Sequence, residues 1–105
     1  MTRIPTHQAP AHPGEMLLEE FLNPMGITQR ELADAIHVPY QRINELVNQK
    51  RGITPSTALR LAQFFKMTPA FWMNLQNCWD LYFAQQAEKE ELATILDYQH
   101  QPRFA

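Results

Sequence analysis

The amino-acid sequence predicts an all-α fold of five helices, with a longer helix at the C-terminal end of the domain. Apolar residues recur at intervals of three and four along most of the 105 residues, which is the period of a helix with one buried face. The stretches between them contain residues that begin or end helices, such as Thr54-Pro55 and Thr68-Pro69. No stretch alternates apolar and polar residues as a half-buried strand does. We therefore expect one compact helical domain.

The first helix is predicted from about Pro13 to Asn23. A proline fits the first helical turn, because its missing N–H has no partner there to lose. The apolar stripe of this helix consists of Leu17, Leu18, Phe21 and Leu22. Pro24 and Gly26 are expected to end it. Residues 1–12 precede the helix, and the prolines among them predict a flexible N-terminal arm.

The second and third helices are predicted to be separated by a short break. The second opens with Thr28-Gln29-Arg30-Glu31, a capping box in which the threonine oxygen accepts the amide of Glu31 and the glutamate reaches back. The third runs from about Tyr40 to Asn48. Between them, His37-Val38-Pro39 interrupts the helical pattern. The inward-facing residues of this pair are Leu32, Ala33, Ile36, Val38, Ile43, Leu46 and Val47.

The fourth and fifth helices each begin with a threonine followed by a proline. Thr54-Pro55 opens the fourth, and Thr68-Pro69 opens the fifth, which is predicted to run to about Gln86. The apolar side of the fourth helix consists of Ala58, Leu59, Leu61, Ala62 and Phe65. Residues 13–86 are therefore the predicted domain. Residues 87–105 form an acidic C-terminal tail that can add one further helical segment.

The net charge of −2 conceals an asymmetry along the chain. Residues 39–66 carry five basic side chains and one acidic one, a net charge of +4. Residues 80–100 carry five acidic side chains and one basic one, a net charge of −4. Such a distribution can make one face attract phosphates while another repels them. The alternative is two ordinary solvated surfaces, and charge alone does not decide between them.

The outer face of the third helix carries side chains that can read the edges of DNA bases. At 100° per residue, this face points away from buried Ile43. Its members are Gln41, Arg42, Asn44, Glu45 and Asn48. Amides can pair with adenine, arginine with guanine, and a carboxylate with the cytosine amino group. Tyr40, at the start of the helix, can stack on a sugar or touch a thymine methyl group.

Polar side chains around this face are candidate contacts to the DNA backbone. They are Gln29 at the start of the second helix, then Asn48, Lys50 and Arg51. Phosphate contacts fix how a protein sits on the duplex, and base contacts give sequence preference. The alternative is a solvated polar face on which Arg42 and Glu45 form only an ion pair. We interpret the whole pattern as a site for double-stranded DNA.

Residues 29–48 resemble the helix-turn-helix of the phage-repressor and XRE class, which implies a lambda-repressor-like arrangement of the five helices. Three longer stretches resemble the HigA-type antitoxins, also called virulence-associated protein I: residues 12–38, 42–54 and 58–65. A further pattern of that family is matched by Pro69, Trp72, Leu75, Gln76, Asp80 and Leu81. The resemblance covers about residues 12–84, and its combined motifs are more specific than the helix-turn-helix alone.

Two positions depart from the usual pattern of this family. His37 stands where the turn usually has glycine, and histidine tolerates a left-handed backbone better than most residues. Pro39 stands where a serine usually caps the next helix, so it presets the backbone but supplies no side-chain cap. Neither departure touches the DNA-facing positions.

The resemblance implies the antitoxin of a type II toxin–antitoxin module. Members of the family neutralise a HigB-type toxin, which cleaves mRNA on the ribosome, and they bind and repress their own promoter as dimers. The implied partners are double-stranded operator DNA, the toxin and a second copy of the chain. Two alternatives stay open: a stand-alone repressor without a toxin, and a protein-interaction module without DNA binding.

The fifth helix carries more apolar surface than one stripe usually holds. One row consists of Phe71, Leu75, Cys78 and Tyr82. A neighbouring row consists of Trp72, Trp79 and Phe83. We expect one row to close the core and part of the other, from among Trp72, Trp79 and Phe83, to meet a second copy, so that two recognition helices lie about one DNA turn, ~34 Å, apart. The alternative is that both rows pack within one chain.

Other classes of function find no support in the sequence. Cys78 is the only cysteine, so no internal disulfide can form, and neither it nor the four histidines show metal-ligand spacing. No glycine-rich phosphate loop, nucleophile elbow or HExxH motif appears. We therefore expect no enzymatic activity, no cofactor and no metal. The chain has neither a long apolar run nor a secretory signal, so we expect a cytoplasmic protein without a membrane span.

Overall fold

The computed structural model describes residues 9–104, and within that range the protein is all-helical, without a strand. In chain order its elements are α1 (Pro13–Met16), a π-helical turn (Leu17–Leu22), α2 (Asn23–Met25), α3 (Gln29–Ala35), α4 (Tyr40–Val47), α5 (Pro55–Phe65), α6 (Pro69–Ala87), α7 (Lys89–Ala93) and two 3-10 turns (Tyr98–His100 and Pro102–Phe104). The predicted fold class is confirmed. The predicted first helix corresponds to α1 through α2, and the other four to α3, α4, α5 and α6. Most of the predicted N-terminal arm, residues 1–8, lies outside the described residues.

Pro24 lies inside the first helical run instead of ending it. The run is continuous from α1 to α2, but its middle is a π-helical turn. At the end of that turn, the amide of Asn23 donates to the carbonyl of Leu18, five residues earlier. In an α-helix a proline ring clashes with the carbonyl four residues earlier, and the wider turn gives the ring room. The predicted end at Asn23 is therefore too early, and Gly26, with a φ of 67°, ends the helix as expected.

The starts of α3 and α5 are formed by the predicted caps. The hydroxyl of Thr28 accepts the amide of Glu31 at 3.0 Å, and the Glu31 carboxylate accepts the amide of Thr28 at 2.8 Å. The hydroxyl of Thr54 accepts from the third residue of α5 in the same way. The start of α6 has no such side-chain cap, because the carbonyl of Thr68, not its hydroxyl, accepts the amide of Phe71 at 3.2 Å.

The turn between α3 and α4 forms without a glycine. His37 adopts the left-handed conformation expected at this position, with a φ of 62°. The amide of Val38 donates to the carbonyl of Ala33 at 3.0 Å. From α5, the guanidinium of Arg60 donates to the carbonyl of Ile36 at 2.8 Å. Arg60 therefore satisfies a carbonyl at the end of α3, where the helix leaves its last carbonyls unpaired.

The core lies between α1 to α5 and the first half of α6. Its buried apolar side chains are Leu17, Leu22, Leu32, Ala33, Ile36, Val38, Ile43, Leu46, Val47, Ile53, Ala58, Leu61, Ala62 and Trp72. The Trp72 ring packs against the rings of Phe21 at 5.1 Å and Phe71 at 5.1 Å. Because a buried aromatic ring contributes a large apolar area, Trp72 anchors α6 to the rest of the domain.

Two side chains lie where the sequence did not predict them. Trp72 is fully buried in its own chain, so the prediction that it contacts a second copy is wrong. Leu59, predicted on the apolar side of α5, is 60% exposed. Ala58, Leu61 and Ala62 already fill the buried stripe at three- and four-residue spacing, and Leu59 lies 100° around the helix from Ala58.

The folded part of the chain includes His12, which the sequence assigns to the N-terminal arm. This side chain is buried, and its Nδ1 atom accepts the amide of Gly14 at 2.9 Å, which caps α1. Its ring meets the Trp79 ring edge-on, with 4.8 Å between the ring centres. Next to it, α1 touches α4 backbone to backbone, since a Cβ atom on Gly14 would lie 1.8 Å from the carbonyl oxygen of Leu46.

The last quarter of the described chain, from about residue 81, extends away from the core. The molecule measures 58 × 23 × 22 Å, and its radius of gyration of 17.6 Å exceeds the ~13 Å of a compact chain of this size. The end of α6, α7 and the two 3-10 turns make up the extension. Its exposed large apolar residues are Leu81, Phe83, Leu92, Ile95, Leu96, Tyr98 and Phe104. The further helical segment expected in the acidic tail is α7.

Candidate DNA-binding site

The outer face of α4 is at the surface, as its pattern predicts. Ile43, Leu46 and Val47 are buried against the core, which turns the opposite side of the helix outward. Gln41 and Asn48 are exposed. The other predicted base-reading side chains are half-buried: Arg42, Asn44 and Glu45. The structure thus brings together the residues that the sequence groups on one face, and their role as base contacts stays a prediction.

Asn44 joins α4 to the start of α3. Its Nδ2 atom donates to the side-chain oxygen of Gln29 at 3.1 Å and lies 3.3 Å from the hydroxyl of Tyr40. Its backbone carbonyl accepts Nδ2 of Asn48 at 2.9 Å. Because the oxygen of Gln29 accepts from Asn44, the NH2 group of Gln29 keeps its donors for an acceptor such as a phosphate. Asn44 therefore fixes the two helices relative to each other, in addition to lying on the predicted reading face.

Arg30 is a charged neighbour of the face that the sequence reasoning missed. Its guanidinium lies 4.5 Å from the centre of the Tyr40 ring, which is the geometry of a cation–π contact. Both side chains are exposed. The signal in the sequence was weak, because only the crossing of α3 and α4 brings these two residues together. Arg30 adds a positive charge beside the start of α4.

Glu45 is the most strongly constrained polar side chain of the face. One carboxylate oxygen accepts Nε of Arg51 at 3.0 Å and the other accepts Nε2 of Gln41 at 3.1 Å. The hydrogen bonds from Arg51 and Gln41 lower the pKa of the Glu45 carboxyl. The carboxylate is therefore charged at neutral pH and acts only as an acceptor. The ion pair forms with Arg51, not with Arg42 as the alternative interpretation of the sequence had it.

The loop after α4 carries Lys50 and Arg51 and is held at both ends. At its start Gln49 adopts a φ of 62°, and the amide of Lys50 donates to the carbonyl of Glu45 at 2.8 Å. At its end the amide of Ile53 donates to the side-chain oxygen of Gln76 in α6 at 2.6 Å. Lys50 and Arg51 are exposed on this fixed loop, in a position suited to contact phosphates.

Trp79 and Phe83, both in α6, are the other two residues predicted for the dimer interface, and they lie at the border between core and surface. Trp79 is half-buried, and its ring packs between His12 and Phe83, with 4.6 Å between the centres of the Trp79 and Phe83 rings. Phe83 is 44% exposed. Leu81 beside it is 55% exposed. This half of α6 offers apolar surface to a partner, and dimer contact at Trp79 and Phe83 stays a prediction.

Residues 9–104 contain neither a candidate metal site nor a candidate membrane span. In that part of the chain, no three histidine, cysteine, aspartate or glutamate side chains come together as metal ligands. No helix within it has both the length and the apolar character needed to cross a membrane.

The chain is similar in sequence to a known family and to known proteins. The model of the helix-turn-helix family matches residues 18–72. Virulence-associated protein I of Dichelobacter nodosus is 47% identical over 85 residues, which are 81% of this chain and 78% of the relative. Antitoxin HigA-1 of Vibrio cholerae is 40% identical over 86 residues, 82% of this chain and 81% of the relative.

A solved structure shows the same fold. Pseudomonas aeruginosa antitoxin HigA, solved with the higBA promoter, matches with a TM-score of 0.80 and 37% sequence identity, over 84% of this chain and 97% of that one. The lambda-repressor-like arrangement expected from residues 29–48 is therefore present. The chain belongs to the helix-turn-helix family, in the group that contains virulence-associated protein I and the HigA antitoxins.

Proposed function

We propose that this protein is a sequence-specific DNA-binding antitoxin that represses its own promoter and neutralises a HigB-type toxin. The observation that carries the proposal is the outward polar face of α4. In the chain this helix lies between α3 and α5, which begin with threonine caps, and it is followed by the fixed loop that carries Lys50 and Arg51. The relationship to HigA antitoxins, one of them solved with its promoter, supports the same function.

In this function α4 enters the major groove of double-stranded DNA. Gln41 and Arg42 present donors that suit adenine and guanine edges, and Glu45 presents an acceptor that suits the cytosine amino group. Lys50 and Arg51 face the phosphates, because their loop follows directly on α4. Arg51 also neutralises Glu45, which lowers the repulsion between that carboxylate and the DNA backbone.

The protein would act as a homodimer in the cytoplasm, with no enzymatic activity of its own. Most operators read by this motif are two-fold symmetric, so a dimer places one α4 on each half-site. The exposed side chains of Leu81 and Phe83 at the end of α6, next to half-buried Trp79, support contact with a second copy there. Sedimentation at micromolar concentration tests this: a 12.3 kDa species that persists on concentrating would refute the dimer.

Fluorescence anisotropy with a labelled fragment of the gene's own promoter tests the DNA-binding part. We expect the wild type to prefer the promoter over a scrambled duplex, with an affinity that falls steeply as salt rises. Arg42→Ala should lower the preference by about 1–3 kcal/mol if Arg42 reaches a base edge. Arg103→Ala removes an exposed arginine from the C-terminal extension and is the matched control, which should bind as the wild type does. Equal affinity for both duplexes would refute sequence-specific binding.

Co-expression with the product of the adjacent gene tests the antitoxin part. We expect that product alone to stop growth and to cleave mRNA, and this protein to restore growth and to co-purify with it. DNA binding without rescue would instead identify a stand-alone repressor. Failure of both assays would refute both functions and leave the protein-interaction module as the remaining alternative.

A further inference from the structure

A chain of side-chain contacts connects α6 to the loop that carries Lys50 and Arg51. The side-chain oxygen of Gln76 accepts the amide of Ile53 at 2.6 Å. The side-chain nitrogen of Gln76 donates to the carboxylate of Asp80 at 2.8 Å. We propose that Gln76 and Asp80 are positioning residues for DNA binding, which hold this loop so that its cations reach the phosphates. The proposal rests on the proposed DNA-binding function.

Gln76 acts at the point where the loop needs a partner. The amide of Ile53 lies in the connection between α4 and α5, and the Ile53 side chain is buried. A backbone amide in such a place needs an acceptor, since an unsatisfied donor is costly. With Gln76 in place, the loop is tied to α4 through Lys50 at one end and to α6 at the other. Without it, the end of the loop that enters α5 keeps the buried Ile53 side chain but loses its hydrogen bond to α6.

Asp80 decides which way the Gln76 amide points. A carboxylate only accepts hydrogen bonds, so it selects the NH2 end of the glutamine amide. The oxygen end then faces Ile53, whose backbone amide donates to it. With the amide reversed, two donors would face each other at Ile53. Asp80 lies one turn further along α6 and therefore acts on the loop only through Gln76.

Gly52 leaves the space that this contact occupies. A Cβ atom at position 52 would lie 2.6 Å from the side-chain oxygen of Gln76, closer than real Cβ contacts come. An alanine there would push the glutamine away from Ile53. Gly52→Ala is therefore a second way to break the same contact, made from the loop instead of from α6.

The test is the salt dependence of DNA binding by the full-length protein. We expect Gln76→Ala to weaken binding to the promoter and to a scrambled duplex by the same factor, about tenfold. The slope of log affinity against log salt should become shallower by about 0.9 for each phosphate that the loop no longer reaches. Asp80→Ala should do the same, while Asp80→Asn, whose side-chain oxygen still accepts from Gln76, should bind as the wild type does.

Gly52→Ala provides the check against a purely structural effect. The single variant should reproduce the weaker binding and the shallower salt slope of Gln76→Ala. When it is added to Gln76→Ala, the affinity should change by less than about twofold, because two changes that break the same contact are not additive. If the variants bind less only because they melt below the assay temperature, or if Gln76→Ala keeps the wild-type slope, the proposal is refuted. If the wild type itself does not bind promoter DNA, the proposed function fails, and this inference fails with it.

Discussion

Replacing Gly14 by alanine tests how closely α1 and α4 are packed. The new Cβ atom would lie 1.8 Å from the carbonyl oxygen of Leu46, where ordinary contacts begin at 3.4 Å, so the two helices must separate by about 1.6 Å. The obstacle is backbone, which cannot turn aside as a side chain can. Overpacking of a tight core costs about 1–3 kcal/mol, and we expect the upper end here.

A loss of about 3 kcal/mol lowers the Tm of a domain of this size by roughly 12–24 °C. Urea unfolding followed by circular dichroism measures the loss directly. The same displacement moves α4, so affinity for promoter DNA should also fall. The better helix propensity of alanine, about 1 kcal/mol in a helix interior, offsets little of this loss, because Gly14 is only the second residue of α1.

Gly26→Ala is the matched control. Its φ of 67° makes a Cβ atom unfavourable, but nothing lies within 4 Å of that atom, so we expect a cost of only about 1 kcal/mol from the backbone. A Gly14→Ala variant that is as stable as the wild type, or no less stable than Gly26→Ala, would refute the close contact between α1 and α4.

Three further predictions concern acid, the core and the phosphates. Burial lowers the pKa of His12 despite the raising effect of nearby acidic groups, so the neutral ring stabilises the fold above about pH 6.5 and this stability is lost as the pH falls further. Urea unfolding midpoints at pH 7.5 and pH 5 should show the loss. The variant His12→Asn, which can still cap α1, should not show it. Trp72→Ala should destabilise the chain by about 3–5 kcal/mol in urea, whereas Trp79→Ala should cost less in stability and lower the sedimentation mass instead. Lys50→Ala should weaken binding to any duplex equally and reduce the salt slope by about 1, whereas Gln41→Ala should lose affinity for the promoter alone.

The helix boundaries follow from the sequence wherever local chemistry sets them. The capping box at Thr28 and the threonine–proline start at Thr54 act within a few residues, so they are visible in the sequence and present in the structure. Pro24 shows the limit of such reasoning. Its ring is accommodated by a π-helical turn formed by the preceding residues, and no residue type in that stretch predicts a π-helical turn.

The faces of the helices were easier to predict than their partners. Periodicity placed Gln41 and Asn48 on the surface correctly, because it needs only the helical angle. It did not separate Trp72 from Trp79, which lie seven residues apart on one row, because their burial depends on where the core ends along α6. Likewise, the contact of Arg30 with Tyr40 and the hydrogen bond from the Ile53 amide to Gln76 join residues from different elements of the fold. Such contacts appear only when the fold is assembled.

The bond from Arg60 to the end of α3 means that the two-helix motif is not self-sufficient. The angle between α3 and α4 depends on a guanidinium supplied from α5, and also on a left-handed histidine that is less favourable there than glycine. A peptide cut out at residues 28–48 would lack this guanidinium, so we expect it to hold the angle between α3 and α4 less firmly than the whole chain does.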